Sequence, residues 1–123
     1  MANPNIVNVT SIYGNTSYLI PSNTSATTWT ALTPASGTVN KIDNIVAANV
    51  TSSAATVTVS INSATGGGGT AYRIAYQISV PPNASLIIAD KTTAFYVGEG
   101  QSVVVTLGTG SAIELTASYE AIT

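Results

Sequence analysis

Few side chains in this sequence could do acid–base or metal chemistry. The carboxylates are Asp43, Asp90, Glu99, Glu114 and Glu120, the cations are Lys41, Arg73 and Lys91, and histidine and cysteine are absent. That removes thiolate nucleophiles, imidazole bases, cysteine–histidine zinc sites and disulfide frameworks. A glycosidase needs only two acids, set about 5–10 Å apart across the scissile bond. Glu114 and Glu120 share a face if their segment is a strand, but six residues at about 3.4 Å each hold them roughly 20 Å apart. Asp43, Asp90 and Glu99 fall in or beside expected turns, where a carboxylate bonds local backbone N–H groups. No catalytic residue is assigned, and the chain reads as a non-enzyme. A calcium site on Asp90 with loop carbonyls is starved of anionic ligands, so no metal or cofactor is expected.

The remaining motifs have structural readings. Gly66-Gly67-Gly68-Gly69 lacks the helix N-terminus, lysine and hydroxyl residue of a phosphate cradle, and reads as a flexible loop tip between two strands. Tyr72 and Tyr76 could form a platform for stacking sugar rings. They share their strand face with Ile74, Ile78 and Val80, however, and those branched aliphatics mark it as buried. Asn-X-Ser/Thr sequons occur at Asn8, Asn15, Asn23, Asn49 and Asn83, which carries little weight in a chain with 33 serines and threonines. A net charge of −2 with three cations cannot neutralise a run of phosphates, so nucleic acid is not an expected partner. No apolar run approaches the ~20 residues of a membrane span, and Met1-Ala2-Asn3-Pro4-Asn5 has no positive n-region or apolar h-region. Synthesis in the cytoplasm without an ordinary cleaved signal is the expectation.

What must position these residues is β-structure. In Ala55-Thr56-Val57-Thr58-Val59-Ser60-Ile61 apolar and hydroxyl residues alternate strictly, the period of a half-buried strand. The same rhythm runs through residues 71–80 and 112–120, and threonine and valine suit a pleated surface better than a helix. Strands are expected near 5–13, 16–20, 26–33, 39–50, 55–62, 71–80, 85–89, 94–97, 102–107 and 112–120, of which eight or nine should survive. Thr51-Ser52-Ser53-Ala54 reads as a hairpin turn, and Pro81-Pro82 must end a strand because proline cannot donate to a ladder. Gly98-Glu99-Gly100 and Gly108-Thr109-Gly110 read as tight hairpin turns closed by positive φ angles. Trp29 and Leu32 return the stretch 22–35 to the core. At 123 residues the chain has the size of one domain: a single antiparallel β-sandwich over 1–123, either an immunoglobulin-like Greek key or a jelly roll, with residues 1–5 a polar arm.

Composition then bears on function. Charged residues are 7% of the chain, against roughly 25% in an average soluble protein, whereas 43 of the 123 positions are Thr, Ser or Asn. A neutral surface neither steers the protein by long-range charge nor repels copies of itself. Edge strands without lysine gatekeepers are an aggregation hazard unless neighbours cover them. Closed homo-oligomers, dimers or trimers, are therefore expected, and Ile6, Val7 and Val9 near the N-terminus are the candidate partner-facing residues. Binding by area and backbone hydrogen bonds should tolerate salt.

Residues 41–61, from Lys41-Ile42-Asp43-Asn44-Ile45 through Val57-Thr58-Val59-Ser60-Ile61, resemble a hairpin of small virion proteins of tailed phages, particularly those infecting cyanobacteria. Ile78-Ser79-Val80-Pro81-Pro82-Asn83-Ala84-Ser85-Leu86, Phe95-Tyr96-Val97-Gly98-Glu99-Gly100-Gln101-Ser102-Val103 and Ala117-Ser118-Tyr119-Glu120-Ala121-Ile122 look like the later strands of that family. The resemblance spans residues 39–122. It implies a virion structural protein: a decoration or cement protein on the capsid exterior with the major capsid protein as partner, or else a tail, neck or fibre component. A carbohydrate-binding module is the reading from a different class.

Overall fold

The computed structural model describes residues 8–123, and Ile6 and Val7 lie outside them. Nine strands follow one another: β1 (Ile12–Leu19), β2 (Thr27–Thr28), β3 (Val39–Asn49), β4 (Ala55–Asn62), β5 (Ala71–Val80), β6 (Ser85–Ala89), β7 (Phe95–Val97), β8 (Ser102–Leu107) and β9 (Ile113–Ile122). They form two antiparallel sheets packed as a sandwich, one ordered β1-β9-β3-β6 with β7 also pairing β3, the other ordered β2-β8-β4-β5.

The pairing selects between the two expected topologies. β6 and β7 both lie against β3, so they act as one strand interrupted by the turn at Lys91–Thr93. The chain then pairs first strand with last, second with next to last, and so on inward: β1 with β9, β2 with β8, β3 with β6 and β7, β4 with β5. This is one long hairpin rolled up with its apex at the glycine loop, the jelly roll.

Rolling explains why several expected hairpin turns are not hairpins. β3 and β4 belong to different sheets, as do β5 and β6, β7 and β8, and β8 and β9. The segments 50–54, 81–84, 98–101 and 108–112 are therefore corners that carry the chain across the sandwich. Among the described residues only β4 and β5 form a hairpin of consecutive strands joined by a short loop. Gly108 and Gly110 do not take positive φ angles. Gly108 is needed because a Cβ would meet the Thr56 hydroxyl, and a Cβ on Gly110 would lie 2.5 Å from the Ser22 carbonyl oxygen. Positive φ does occur in the glycine loop, at Gly66, Gly67 and Gly69.

The first strand also differs from expectation. Rather than breaking near Gly14, it runs unbroken over Ile12–Leu19 because all eight residues stay in register with β9. The expected strand at 26–33 shrinks to Thr27–Thr28 and a 3-10 turn at Thr30–Leu32.

The alternation of β3, β4, β8 and β9 delivers the core: Ile42, Ile45, Val57, Val59, Val103, Val105, Leu107, Ile113 and Leu115 are buried between the sheets. Each contributes about 1.5–3 kcal/mol relative to an exposed side chain. Trp29 and Leu32 complete it as expected, and the Trp29 indole N–H donates to the Ser17 hydroxyl at 3.0 Å.

Candidate functional site

Four of the five acidic side chains have partners that account for them, and the fifth, Glu114, is exposed on β9. Asp90 caps the turn after β6: its carboxylate accepts from the Thr92 backbone N–H at 2.9 Å and the Thr92 hydroxyl at 2.6 Å. Those bonds, the hydroxyl's first, hold its pKa below the ordinary carboxylate value. Glu99 is buried and accepts from the Gly37 N–H at 2.7 Å, which ties two loops 62 residues apart. Asp43 is not in a turn but inside β3, at a register shift against β9 between Ile42 and Asn44. The Lys41 ammonium lies 3.9 Å from Asp43 and 4.0 Å from Glu120, its cross-strand partner. Exposed pairs at this distance contribute at most about 1 kcal/mol.

Five of the eight charged side chains, Lys41, Asp43, Asp90, Lys91 and Glu120, line one open depression of about 460 Å³ on the face of the β3–β9 sheet turned from the core. Folding thus concentrates scattered charges in one place and leaves the rest of the surface more neutral still. Among the described residues no group of three or more acidic, histidine or cysteine side chains is placed to hold a metal ion.

The glycine loop is not free. Ser102, fully buried at the start of β8, accepts from the Gly67 N–H at 3.0 Å and donates to the Ala64 carbonyl at 2.7 Å, and Asn62 donates to the Gly67 carbonyl at 2.9 Å. The loop reads as a pinned hairpin apex with no phosphate-binding architecture behind it.

Tyr72 and Tyr76 overturn the buried reading of their strand: they are 61% and 58% exposed. For Tyr76 the cause lies in β5, whose register against β4 shifts twice, between Val57 and Val59 and again between Val59 and Ser60; the two shifts cancel by Tyr72, which pairs with Ile61 and is exposed on an edge strand. Gln77 adopts φ 48° and donates its N–H to the Thr58 hydroxyl. Each bulge breaks the two-residue alternation, so residues expected on one face no longer share it. The Arg73 guanidinium sits over the Tyr76 ring, 5.3 Å from its centroid, and this contact occupies one face of that ring.

Of the other exposed large apolar side chains, Val50, Ile78, Ile87 and Tyr96 are dispersed, while four cluster at β1, where Ile12, Tyr13 and Tyr18 are 53%, 64% and 74% exposed, followed by Ile20 at 52%. Val9, the one described member of the N-terminal candidates, is half-buried just ahead of this strand. The exposed run over 12–20 was not singled out by sequence. Its only signal is an aromatic at each end of a charge-free, proline-free segment.

The four sheet edges differ in their defences. β2 is two residues long, the β6–β7 edge is broken by a turn, and β5 is bulged and carries Arg73. Such features obstruct addition of a further strand. β1 has eight residues, no charge, no proline and no register shift. It is the undefended edge among the described residues.

No family model and no curated protein matches the chain. Among solved structures it is similar to a chain of Bacillus endospore appendages, disulfide-linked pili, with 15% identity over 91% of this chain and 87% of that one and a TM-score of 0.47. It is also similar to a chain of the virus-like particle of the giant freshwater prawn Macrobrachium rosenbergii extra small virus, with 18% identity over 97% and 85% and a TM-score of 0.37. Disulfide linkage is closed to these 123 residues, which contain no cysteine. Among the described residues no helix is long and apolar enough to cross a membrane.

Proposed function

We propose that this protein is a non-enzymatic structural component of a phage virion, a decoration or cement protein seated on the capsid exterior against the major capsid protein. The observation that carries the reading is the undefended edge: a neutral jelly roll presents one long, uncharged strand with exposed tyrosines, a feature that calls for a covering neighbour. Its work is mechanical. Packaged DNA pushes a shell outward, and a domain bridging neighbouring capsomers adds buried area across the seams. At an ordinary interface of about 800 Å² per partner, many equivalent copies raise the cost of rupture without any strong single contact. The resemblance over residues 39–122 supports the same class of role.

Quantifying copies per particle by mass spectrometry tests this. Hundreds of copies support the capsid position, six or twelve move the protein to the tail or neck, and absence from purified particles refutes the reading. A second reading, carbohydrate binding, is favoured by the exposure of Tyr72 and Tyr76. Arg73 stacked on Tyr76 leaves a smaller platform than two free rings, and a glycan array without hits removes it.

A further inference from the structure

β1 offers backbone as well as side chains. Ser11 and Thr123 exchange both main-chain hydrogen bonds, at 3.1 and 2.9 Å, and the β1–β9 register continues without a shift from there. Bonded and non-bonded pairs alternate along an antiparallel ladder. The odd-numbered residues of β1 therefore bond to β9, while Ile12, Gly14, Thr16 and Tyr18 direct their N–H and C=O groups to the open side. The inward side of the strand is also incompletely covered. Ser17 is buried and Leu19 packs on the core, but Tyr13 and Asn15 on that same side stay exposed.

We propose that the occupant of this edge is β1 of a second copy of the chain, paired antiparallel about a local two-fold axis through Thr16, so that two five-stranded sheets become one. A two-fold axis normal to the sheet preserves which face a residue points to, so paired residues must both be even or both be odd. Centring on Thr16 pairs Ile12 with Ile20, Tyr13 with Leu19, Gly14 with Tyr18 and Asn15 with Ser17. Every exposed large apolar side chain of the segment then gains a partner, and because the strand is uncharged no like charges meet. Nothing lies within 4 Å of a Cβ built on Gly14, which leaves room for the partner's tyrosine ring, the pairing of an aromatic with an edge glycine. Beyond Gly14 the next residue in the cross-strand row is Glu120. Two strand spacings, about 10 Å, bring a tyrosine hydroxyl within reach of that carboxylate. Tyr13 against Leu19 extends the inward apolar face where each sheet overhangs its own core.

The inference deepens the proposed structural role and rests on it for its biological setting, while its test needs only the purified full-length protein. Bonded pairs sit about 5.5 Å apart at Cα, within the range a disulfide spans, and the chain has no cysteine of its own. Under mild oxidation Thr16→Cys should give a covalent dimer as the main product, and Asn15→Cys, which would mark a register centred one residue away, should not. In sedimentation analysis Thr16→Ala, which keeps the backbone donor, should dimerise as the parent does. Thr16→Pro, which removes that donor while leaving every bond to β9, should weaken dimerisation at least tenfold. Thr16→Lys, placing two ammoniums across the axis, should do the same should the proline variant fold poorly. A parent protein that stays monomeric at 100 μM, crosslinking of Asn15→Cys in preference to Thr16→Cys, or unchanged dimerisation of Thr16→Lys overturns the proposal. Particles that bind the protein as a monomer would sink this pairing and leave the virion role standing; β1 dimers that never join a particle would do the reverse.

Discussion

Replacing Asn49 by alanine tests how the rolled hairpin turns its corner between sheets. Asn49 is 2% exposed, and all four of its hydrogen-bonding positions are used. Its amide donates to the Ser53 carbonyl at 2.8 Å and the Val80 carbonyl at 3.0 Å, and its oxygen accepts from the Thr51 N–H at 2.9 Å and the Thr51 hydroxyl at 2.7 Å. One side chain thus holds the 50–54 corner against the end of β5. A typical bond contributes about 0.5–1.5 kcal/mol net, and a buried group left unsatisfied costs about 1–3 kcal/mol. The Val80 carbonyl is in the buried setting and the Thr51 and Ser53 groups are nearer water, so Asn49→Ala should cost about 3 kcal/mol. At about 4 °C per kcal/mol for a chain of this size, Tm falls by about 12 °C. Asn49→Asp should cost more, since it removes both donors and sets a carboxylate against two carbonyl oxygens. Urea unfolding followed by the fluorescence of Trp29, the one tryptophan and a buried one, measures both, with a lower midpoint at unchanged slope. An aspartate variant as stable as the parent, or an alanine variant losing under about 1 kcal/mol, would show that the corner is held by something else.

Gly110→Ala should destabilise by about 1–3 kcal/mol through the clash with Ser22 backbone, whereas Gly100→Ala, with open space at its Cβ, should stay within about 0.5 kcal/mol; thermal melts of the pair decide it. Trp29→Phe removes the bond to Ser17 and should cost about 1 kcal/mol beyond the loss of packing, read by a double-mutant cycle with Ser17→Ala. Asp90 contributes stability fully above the unfolded carboxylate pKa of about 3.9, and this is lost as pH falls through its lowered folded value; carboxyl NMR titration should show that Thr92→Val, which deletes the first of its hydrogen bonds, brings that pKa back up.

Alternation in β4, β5 and β9, together with the turn residues that punctuate the chain, determined seven of the nine strands, β3 through β9, within a residue or two of their ends, because a half-buried strand writes its period, and a turn its residue types, directly into the chain. The apolar bulk of Trp29 in a polar stretch assigned it to the core, and the turn position of Asp90 implied its local bonding. Sheet membership was beyond the reach of these signals: the segments 50–54, 98–101 and 108–112 have the composition of hairpin turns, and only long-range pairing makes them corners. The exposure of Tyr76 depends on the bulges in β5 and that of Tyr72 on the place of β5 at a sheet edge, neither of which the alternating residues announce. Lys41, Asp43, Asp90, Lys91 and Glu120 are spread over 80 residues of sequence and meet only because β9 and the β6–β7 edge flank β3. Which edge is left open is likewise a tertiary fact, since an edge is defined by the strand that is not beside it.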